Sequence, residues 1–527
     1  MRIAALDLGS NSFHLLVCEA RLDGSFSPLA REKEMLRLGD QVARTGRIGR
    51  ESTARAVEVI ARFKAIAEAN HADETIALGT AAIREAEDGV AFVNRVRAET
   101  GVEIEVVDGV VEARLIFTAI RSSVLIEPAP ALAADLGGGS LEVMVGDQGA
   151  LMYAASLRLG VGRLTAELVS TDPPSRRDRR RLEERVRGEL APVLAEAREL
   201  KPRMLIGSSG TFSDLAKMAV AERGGGEPAS LNQVTVARAE LLALERAIFG
   251  ADAEARAKLP GGDQKRAELL PAGIIVLNHL MEETGLGELT ISDWALREGV
   301  VLNAIGGHDR AELADDPRAL RRASVLSLCR RSNWRQPHAR QVAAIAVALF
   351  DVTAQLHRLP PEDRELLELA ALLHDIGEHV SRVDHDRHTA YLIEHGGLRG
   401  FTPEEVRMLS LIGRFHVRGT PRPHSAGNGA LTEDERQRVL GLTALLRVAD
   451  SLDASHAGSV GAIRLEKERA GTVTLRIAAK GDAELEQWAF RRKRGLFEKS
   501  FGRRVEAVFD RQGREDFEAA ELVPGYS

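Results

Sequence analysis

Residues Ala133 to Glu142 read AADLGGGSLE, an apolar run followed by an aspartate, three glycines and a serine. The apolar run Ala131 to Ala134 predicts a buried strand, and Gly137 to Gly139 predict a tight loop after it. Because glycine has no Cβ, the loop N–H groups can approach a ligand closely, and a curl of such donors binds anions. Asp135 and Glu142 add the carboxylates that a divalent cation beside a phosphate requires. The alternative interpretation is an ordinary glycine turn between two strands.

The same pattern opens the chain and favours the functional interpretation. The apolar run Ile3 to Leu6 leads into Asp7 to Ser12, which reads DLGSNS, and Phe13 to Val17 is a second apolar run. Two such loops facing each other would hold a phosphate group from both sides. A third loop of glycine and hydroxyl residues, Gly207 to Thr211, follows the apolar run Met204 to Ile206, and we expect it to face the same cleft.

Composition limits the class of protein. The chain has 527 residues, of which 44% are hydrophobic and 28% are charged, and this predicts a soluble protein of three or four domains. With a formal net charge of −7, bulk electrostatics would not attract nucleic acid, so an anionic substrate needs local donors. The sequence shows neither a secretory signal nor a membrane-spanning run, so we expect a cytoplasmic protein. Cys18 and Cys329 are predicted to be buried thiols.

Two charged residues in the first 122 residues, Arg84 and Glu112, each follow a predicted strand. Gly49 to Asn70 has helical spacing, Thr75 to Leu78 and Val102 to Val107 are predicted strands, and Arg84 follows the first of these strands. Arg84 could direct a fork of donors at a phosphate, or it could be a surface arginine at a helix start. Glu112 lies in the first turn of the next helix. It is either a general base or a complement to the helix dipole.

The second lobe is predicted to repeat the order of the first. Its pattern is a strand, a glycine loop, two strands, a long helix over Ser175 to Arg198, a strand and a helix. The last helix of the lobe contains Val300 and Leu302.

The last third of the chain shows two different secondary-structure patterns. Asp316 to about Val448 is predicted to be helical, and Ala457 to Ser527 shows strands around one helix, Ala483 to Phe501. The end of that helix is basic at Arg491 to Arg494, which indicates either a solvated face or a contact with a long polyanion.

A run of possible metal ligands lies in the helical part. His374 and Asp375 end an apolar helix, with His338 before them and Asp450 after them. Imidazole and carboxylate together suit a hard or borderline divalent metal. Further candidate ligands are four histidines: His379, His385, His388 and His416.

Six motifs in order carry a resemblance: DLGSNSFHLLV at 7–17, GTAAIREA at 79–86, EARLIF at 112–117, DLGGGSLE at 135–142, GSSGT at 207–211 and SDWALREG at 292–299. The chain resembles the exopolyphosphatase and guanosine pentaphosphate phosphatase family of the actin-like ATPase superfamily. The resemblance implies an α/β fold of duplicated actin-like, ribonuclease H-like lobes. The implied division is residues 1–122 and 123–307 for the lobes, 316–456 for an all-α HD-like domain and 457–527 for a small α+β domain.

The resemblance also implies roles for individual residues. Glu112 matches the catalytic glutamate, Arg84 the phosphate-binding arginine, and Asp135 and Glu142 the carboxylates linked to Mg²⁺ or another divalent cation. Val111 departs from the family, which often has an acidic residue just before the glutamate. The expected phosphate-binding residues are Gly9, Ser10, Asn11, Ser12, Arg84, Gly137, Gly138, Gly139, Ser140, Ser209, Gly210 and Thr211.

The helical region resembles the HD-type metal phosphohydrolases. Their ligand set matches His338, His374, Asp375 and Asp450, so a second metal site is expected there. In the exopolyphosphatase family this domain is often a degenerate relative that has lost its ligands, whereas this chain keeps all four.

The predicted function is that of an exopolyphosphatase, which hydrolyses the terminal phosphoanhydride of inorganic polyphosphate with Mg²⁺ and with Glu112 as base. One alternative is a guanosine pentaphosphate 5′-phosphatase acting on the alarmones of the stringent response. Others are a non-catalytic sensor of guanosine pentaphosphate, guanosine tetraphosphate or a nucleotide, and an ATP-dependent kinase with an adenosine pocket at Gly207 to Thr211. The resemblance implies a homodimer, and neither nucleic acid nor membrane is an expected partner.

Overall fold

The structure is a computed structural model that describes residues 1–21, 25–224, 228–306, 319–421, 431–466 and 471–511. The chain divides into two compact units, Met1–Leu320 and Arg321–Ser527. The predicted boundary between lobe and helical domain at 307–316, and the last residues of the predicted small domain at 512–527, lie outside the described residues.

The first half of the first unit contains a five-stranded sheet in the order β3-β2-β1-β4-β5. Strands β1 to β3 are antiparallel neighbours, and β4 and β5 continue the sheet parallel to β1. The strands are β1 (Arg2–Leu8), β2 (Ser12–Ala20), β3 (Phe26–Met35), β4 (Glu74–Gly79) and β5 (Ile104–Val106). The helices are α1 (Leu38–Thr45), α2 (Arg50–Ala69), α3 (Ala81–Glu85), α4 (Gly89–Thr100) and α5 (Gly109–Arg121).

The second half repeats this topology. Its six strands are β6 (Ala131–Leu136), β7 (Leu141–Gly146), β8 (Leu151–Leu157), β9 (Met204–Ser208), β10 (Thr235–Ala237) and β11 (Glu288–Ile291). Their order is β10-β11-β9-β6-β7-β8. Apart from the added edge strand β10, this is the order of the first sheet. The helices are α6 (Val161–Leu168), α7 (Arg176–Glu199), α8 (Gly210–Glu222), α9 (Arg238–Phe249), α10 (Ala253–Ala257), α11 (Leu270–Thr284) and α12 (Leu296–Ala304). The repeated order shows that the unit consists of two duplicated sheets.

One core cluster joins the two sheets. Ile3 of β1 and Ala133 of β6 belong to the same buried cluster as Phe117 of α5 and Val301 of α12. Helices α5 and α12 lie against each other closely, because a Cβ on Gly299 would come within 2.0 Å of the backbone oxygen of Leu115. The first strands of both lobes and these two helices therefore form one packed layer that holds the lobes together.

The second unit is helical with a small sheet. Its helices are α13 (Ala319–Arg331), α14 (Gln336–Val352), α15 (Ala354–His357), α16 (Asp363–Leu373), α17 (His385–His395), α18 (Pro403–Phe415), α19 (Glu433–Ser451), α20 (Glu484–Lys493) and α21 (Gly495–Phe501). A turn of 3₁₀-helix covers Ile376–His379, and the sheet has the order β12-β13-β14 from β12 (Val460–Leu465), β13 (Thr472–Ala479) and β14 (Arg504–Arg511). Helices and sheet share one hydrophobic cluster.

Most predicted elements are present, with one clear error. The predicted helix Gly49 to Asn70 is α2, and the predicted long helix Ser175 to Arg198 is α7. The single helix predicted over Ala483 to Phe501 is wrong, because α20 ends at Lys493 and α21 begins at Gly495. Glycine at that position weakens helix propagation, and Phe497 of α21 is buried in the core. Within the described ranges, none of the helices combines the length and apolarity needed to cross a membrane.

Candidate active site

A cleft of about 470 Å³ in the first unit brings the three glycine loops together. The loops follow β1, β6 and β9, which are parallel neighbours or occupy equivalent positions in the duplicated sheets. Of the predicted phosphate-binding residues, all but Arg84 line the cleft: Gly9, Ser10, Asn11, Ser12, Gly137, Gly138, Gly139, Ser140, Ser209, Gly210 and Thr211. The fold therefore brings together loops that are far apart in the sequence.

The first two loops touch each other, and only glycine fits at the contact. A Cβ on Gly138 would lie 2.7 Å from the Cβ of Asn11, and one on Gly139 would lie 2.4 Å from the Oγ of Ser10. Gly160 packs against the second loop, since a Cβ on Gly160 would lie 2.3 Å from the backbone carbonyl carbon of Gly139. The loops can come this close because none of the three residues carries a side chain.

The third loop contains strain at its first helical turn. Ser209 has φ 88°, a left-handed conformation that a serine rarely adopts. Its Oγ is buried without a hydrogen-bond partner, although the residue lines the cleft. Strain and an unpaired hydroxyl at the start of α8 are typical of a binding site.

Among the carboxylates that line the cleft are Asp7, Glu112, Asp135 and Glu142. Asp135 at the end of β6 stands opposite Glu142 on β7. Serine hydroxyls support this pair, because Ser208 donates to Asp135 and Ser156 Oγ donates to Glu142 Oε1 at 2.8 Å. Asp7 ends β1 as Asp135 ends β6, so the duplication supplies one aspartate from each lobe.

Burial and mutual repulsion disfavour the charged forms of these groups. Burial raises the pKa of Asp7 to about 7, against the lowering effect of Arg297. Burial also raises the pKa of Asp135 to about 6, and burial together with the charge of Asp135 raises the pKa of Glu142 to about 8. A bound cation would favour the ionised forms of these carboxyls, so the arrangement is suited to one.

Glu112 lies in the first turn of helix α5. Asp108 caps the helix, with its Oδ1 accepting from the backbone N–H groups of Val110 at 2.9 Å and Val111 at 2.8 Å. Burial and the nearby charge of Glu142 raise the pKa of Glu112 well above its usual value, and Arg84 opposes this rise. The Nη1 of Arg84 lies 3.4 Å from Glu112 Oε2 and donates to the backbone oxygen of Val107 at 2.6 Å.

Several residues that line the cleft were missed by the sequence analysis. They are Asp7, His14, Arg31, Lys33, Arg266 and Arg297. For Asp7 the signal was present, since the repeated DLG motif gives it the same position as Asp135. Arg297 lies in the quoted motif SDWALREG. Nothing in the local sequence distinguishes Arg31, Lys33 or Arg266 from surface cations.

The predicted ligands of the helical unit also converge. His338 lies in the first turn of α14, His374 and Asp375 follow α16, and Asp450 lies near the end of α19. The Nε2 atoms of His338 and His374 lie 3.7 and 3.8 Å from Asp450 Oδ1. Neither His379 nor His388 belongs to a candidate metal group within the described part of the chain.

Comparison with known proteins agrees with the resemblance. A model of the Ppx/GppA phosphatase family matches residues 17–308, which is more than half of the chain. The chain belongs to the Ppx/GppA phosphatase family. A second model, Ppx/GppA phosphatase domain III, matches residues 320–487, so the helical unit contains domain III of this family.

Relatives that are named as phosphatases also match the chain. Exopolyphosphatase 1 of Mycobacterium leprae is 34% identical over 307 residues, which cover 58% of this chain and 90% of that protein. Exopolyphosphatase 1 of Mycobacterium tuberculosis is equally similar, with 88% of its length covered. Membership of the Ppx/GppA family and these relatives identify the chain as a phosphatase and confirm that it is an enzyme.

Solved structures of family members share the lobes. A crystal structure of an exopolyphosphatase from Cytophaga hutchinsonii has a TM-score of 0.55 and 27% identity, covering 59% of this chain and 99% of that one. The Ppx/GppA family member of Aquifex aeolicus gives 0.51 and 26%, with the same coverage. The duplicated actin-like sheets are therefore the fold of the Ppx/GppA family.

Proposed function

We propose that this Ppx/GppA phosphatase is an exopolyphosphatase that releases orthophosphate from the end of inorganic polyphosphate. The observation that carries the proposal is the contact of the Asn11 and Gly138 loops in a cleft that three buried carboxylates also line: Glu112, Asp135 and Glu142. Loops that offer N–H donors from two lobes suit a group with oxygens on every side, which a terminal phosphoryl group has. Carboxylates in the same cleft suit activation of water.

The donor set fits Mg²⁺. Asp7, Asp135 and Glu142 offer only oxygen atoms, which hard cations prefer, and the burial that raises the pKa of each carboxyl supports a cation as their partner. In our proposal Asp135 and Glu142 hold the cation, and Asp7 supplies a third carboxylate from the other lobe. Bound there, Mg²⁺ would neutralise negative charge on the phosphate oxygens.

Glu112 is proposed to orient the attacking water and take its proton. Burial gives its carboxylate a raised pKa and therefore greater basicity, while Arg84 at 3.4 Å favours the ionised form that a base requires. In this account Arg84 acts on Glu112 as a positioning residue, since it contacts the base and does not line the cleft. Direct contact with substrate phosphate, which the resemblance implies for Arg84, stays a prediction.

The walls of the cleft favour a chain of phosphates over a nucleoside. Arg31, Lys33, Arg266 and Arg297 line it, and such cations can contact successive phosphate groups. The guanidinium of Arg266 covers Gly210, because a Cβ on that glycine would lie 2.0 Å from Arg266 Nη1. Arg266 therefore covers one residue of the Gly207 to Thr211 loop, around which the kinase hypothesis places adenosine, and this contact supports the polyphosphate proposal. The relatives named Exopolyphosphatase 1 support the same substrate.

A substrate comparison tests this proposal. Purified protein with Mg²⁺ is given long-chain polyphosphate, guanosine pentaphosphate and ATP at equal concentrations of terminal phosphate, and orthophosphate and ADP are measured. We expect the highest kcat/KM for polyphosphate, and no ADP beyond the orthophosphate released. Faster release from guanosine pentaphosphate would assign the alternative activity. Tight binding of guanosine pentaphosphate or guanosine tetraphosphate without release from any substrate would assign a sensor.

A further inference from the structure

The metal-ligand cluster of the helical unit is larger than the four residues that the sequence predicted. Six side chains form two groups of three, each with its ligand atoms within 4.8 Å of one another: His338, His374 and Asp450 in one, and Asp375, His385 and His416 in the other. Helices α14, α17 and α19 and the C-terminal ends of α16 and α18 supply them. Five separate elements therefore converge on one place inside a single compact unit.

Asp375 connects the two groups. Its Oδ2 lies 3.4 Å from His374 Nε2 and 3.8 Å from His338 Nε2. Its Oδ1 lies 3.2 Å from His416 Nε2 and 3.4 Å from His385 Nε2. A carboxylate that gives one oxygen to each of two ligand groups has the arrangement of a bridging ligand between two metal ions.

All four imidazoles present the same nitrogen to the centre. Each Nδ1 hydrogen-bonds to an acceptor outside the cluster: His338 to Asp453 Oδ2 at 2.7 Å, His374 to Ala371 O at 2.7 Å, His385 to Arg382 O at 3.2 Å and His416 to Gly413 O at 2.6 Å. Such bonds place the proton on Nδ1 and leave the lone pair of Nε2 free for a metal.

Two of these nitrogens are left without a partner. His338 is 3% exposed and His374 is fully buried, yet the Nε2 of each has no hydrogen bond. Leaving a buried polar atom unpaired costs about 1–3 kcal/mol. Two such atoms directed at the same carboxylates are explained by a ligand that accepts both lone pairs, as a metal ion does.

The carboxylates are also held by outer contacts. Lys493 Nζ donates to Asp450 Oδ2 at 2.9 Å, which leaves Oδ1 facing the two histidines. Asp453, the partner of His338, accepts from the backbone N–H of Gly458 at 2.8 Å. Lys493, which belongs to the basic stretch Arg491 to Arg494, therefore contacts a carboxylate of the cluster within the unit.

One side of the cluster is open. The side chains of Asp375 and Asp450 are each 19% exposed, whereas those of His338, His374 and His416 are buried. Near His338, the guanidinium of Arg335 is held by two contacts: its Nη2 lies 3.1 Å from Glu378 Oε2, and its Nη1 lies 3.4 Å from Nδ1 of His456, whose ring stacks on His338 at 3.8 Å. Four ligands for one ion and three for the other leave coordination positions free for an outside ligand, and two cations at the centre would attract an anion to these positions.

We propose that the helical unit holds two divalent transition-metal ions bridged by Asp375, with an open side that accepts an oxyanion such as phosphate. Four imidazoles among six ligands favour ions such as Mn²⁺, Fe²⁺, Co²⁺ or Zn²⁺ over Mg²⁺. This centre is a second site, separate in its ligands from the cleft, and the proposal stands whether or not the cleft acts on polyphosphate.

Metal counting tests the proposal on the full-length protein. The protein is stripped with a chelator, loaded with Co²⁺, washed and analysed for metal by mass spectrometry. We expect two ions per chain in the wild type, one in His385→Gln and less than one in Asp375→Asn. His388→Gln is the matched control, because it changes a histidine on the same helix α17 outside the cluster, and it should retain two.

Three outcomes would overturn the proposal. They are fewer than two retained ions in the wild type, two ions in His385→Gln, and a count that falls in Glu142→Gln, which would place the retained metal in the cleft. Circular dichroism of each variant in chelator excludes unfolding as the cause of a lost ion.

The open side has its own readout. Orthophosphate added to the Co²⁺-loaded wild type should change the visible absorption spectrum of the metal, and His385→Gln should lose most of the change. A wild-type spectrum that does not respond would show that the centre is closed to outside ligands and would contradict this part of the proposal.

Discussion

The cleft of the lobes and the cluster of the helical unit both concentrate metal-binding groups, but they are built from different chemical groups. In the cleft, glycine loops bring backbone N–H groups together with carboxylates such as Asp135 and Glu142, which offer only oxygen. In the helical unit, side chains from helices and their ends converge, and four of the six are imidazoles. The first arrangement suits Mg²⁺ and phosphate, whereas the second suits a transition metal.

The comparison indicates which substitutions should disturb each site. The cleft depends on how closely two backbones approach, so small additions at its glycines should matter. The cluster depends on the direction of each imidazole, which hydrogen bonds at Nδ1 fix from outside. Substitutions can therefore separate the two sites.

The largest expected effect comes from Glu112→Gln. The amide cannot take a proton from water, so kcat for phosphate release should fall about 10²–10⁴-fold, with little change in KM. Metal retained by the helical unit should not change. Glu105→Gln, an exposed glutamate of β5, is the control and should leave kcat unchanged. Full turnover by a folded Glu112→Gln variant would show that another group is the base.

A smaller effect is expected from Arg84→Gln, and it should depend on pH. Arg84 lowers the pKa of Glu112, so its removal raises the pH at which the base becomes ionised. The acidic limb of the kcat profile should move upward by about one pH unit, since an opposite charge at this distance typically shifts a carboxyl pKa by 1–3 units. Activity should fall at neutral pH and recover at alkaline pH. A loss that is equal at every pH would instead indicate damage to substrate binding.

The sequence predicted these residues to different degrees, for physical reasons. The loops were predictable because the same pattern of aspartate, leucine and glycine follows an apolar strand twice, and this repeated DLG motif also contained the information for Asp7. The close pairing of Arg84 with Glu112 was not predictable, since it depends on where β4 and α5 meet in the fold. Among the extra histidines, the sequence could not separate His385 from His388, because both lie on α17 and only packing shows which one faces the cluster.

The smallest effect separates backbone approach from general stability. Gly160→Ala places a methyl group 2.3 Å from the backbone carbon of Gly139, and overpacking of this kind costs about 1–3 kcal/mol. We expect lower stability in urea and a higher KM. Gly188→Ala is the control, because a Cβ there meets nothing within 4 Å and lies inside α7, where alanine should stabilise the helix by about 0.5–1 kcal/mol. Equal effects of the two substitutions would contradict the close contact of the loops.

The account rests on the claim that water attacks the terminal phosphorus of a phosphate chain. Hydrolysis of polyphosphate in ¹⁸O-labelled water, with enzyme in excess over chain ends and quenched after the first release, tests it most directly. Mass spectrometry of the released orthophosphate should show one ¹⁸O atom, because the oxygen of water bonds to the phosphorus that leaves. Unlabelled orthophosphate with ¹⁸O at the new end of the shortened chain would contradict the account, since water would then have attacked the neighbouring phosphorus.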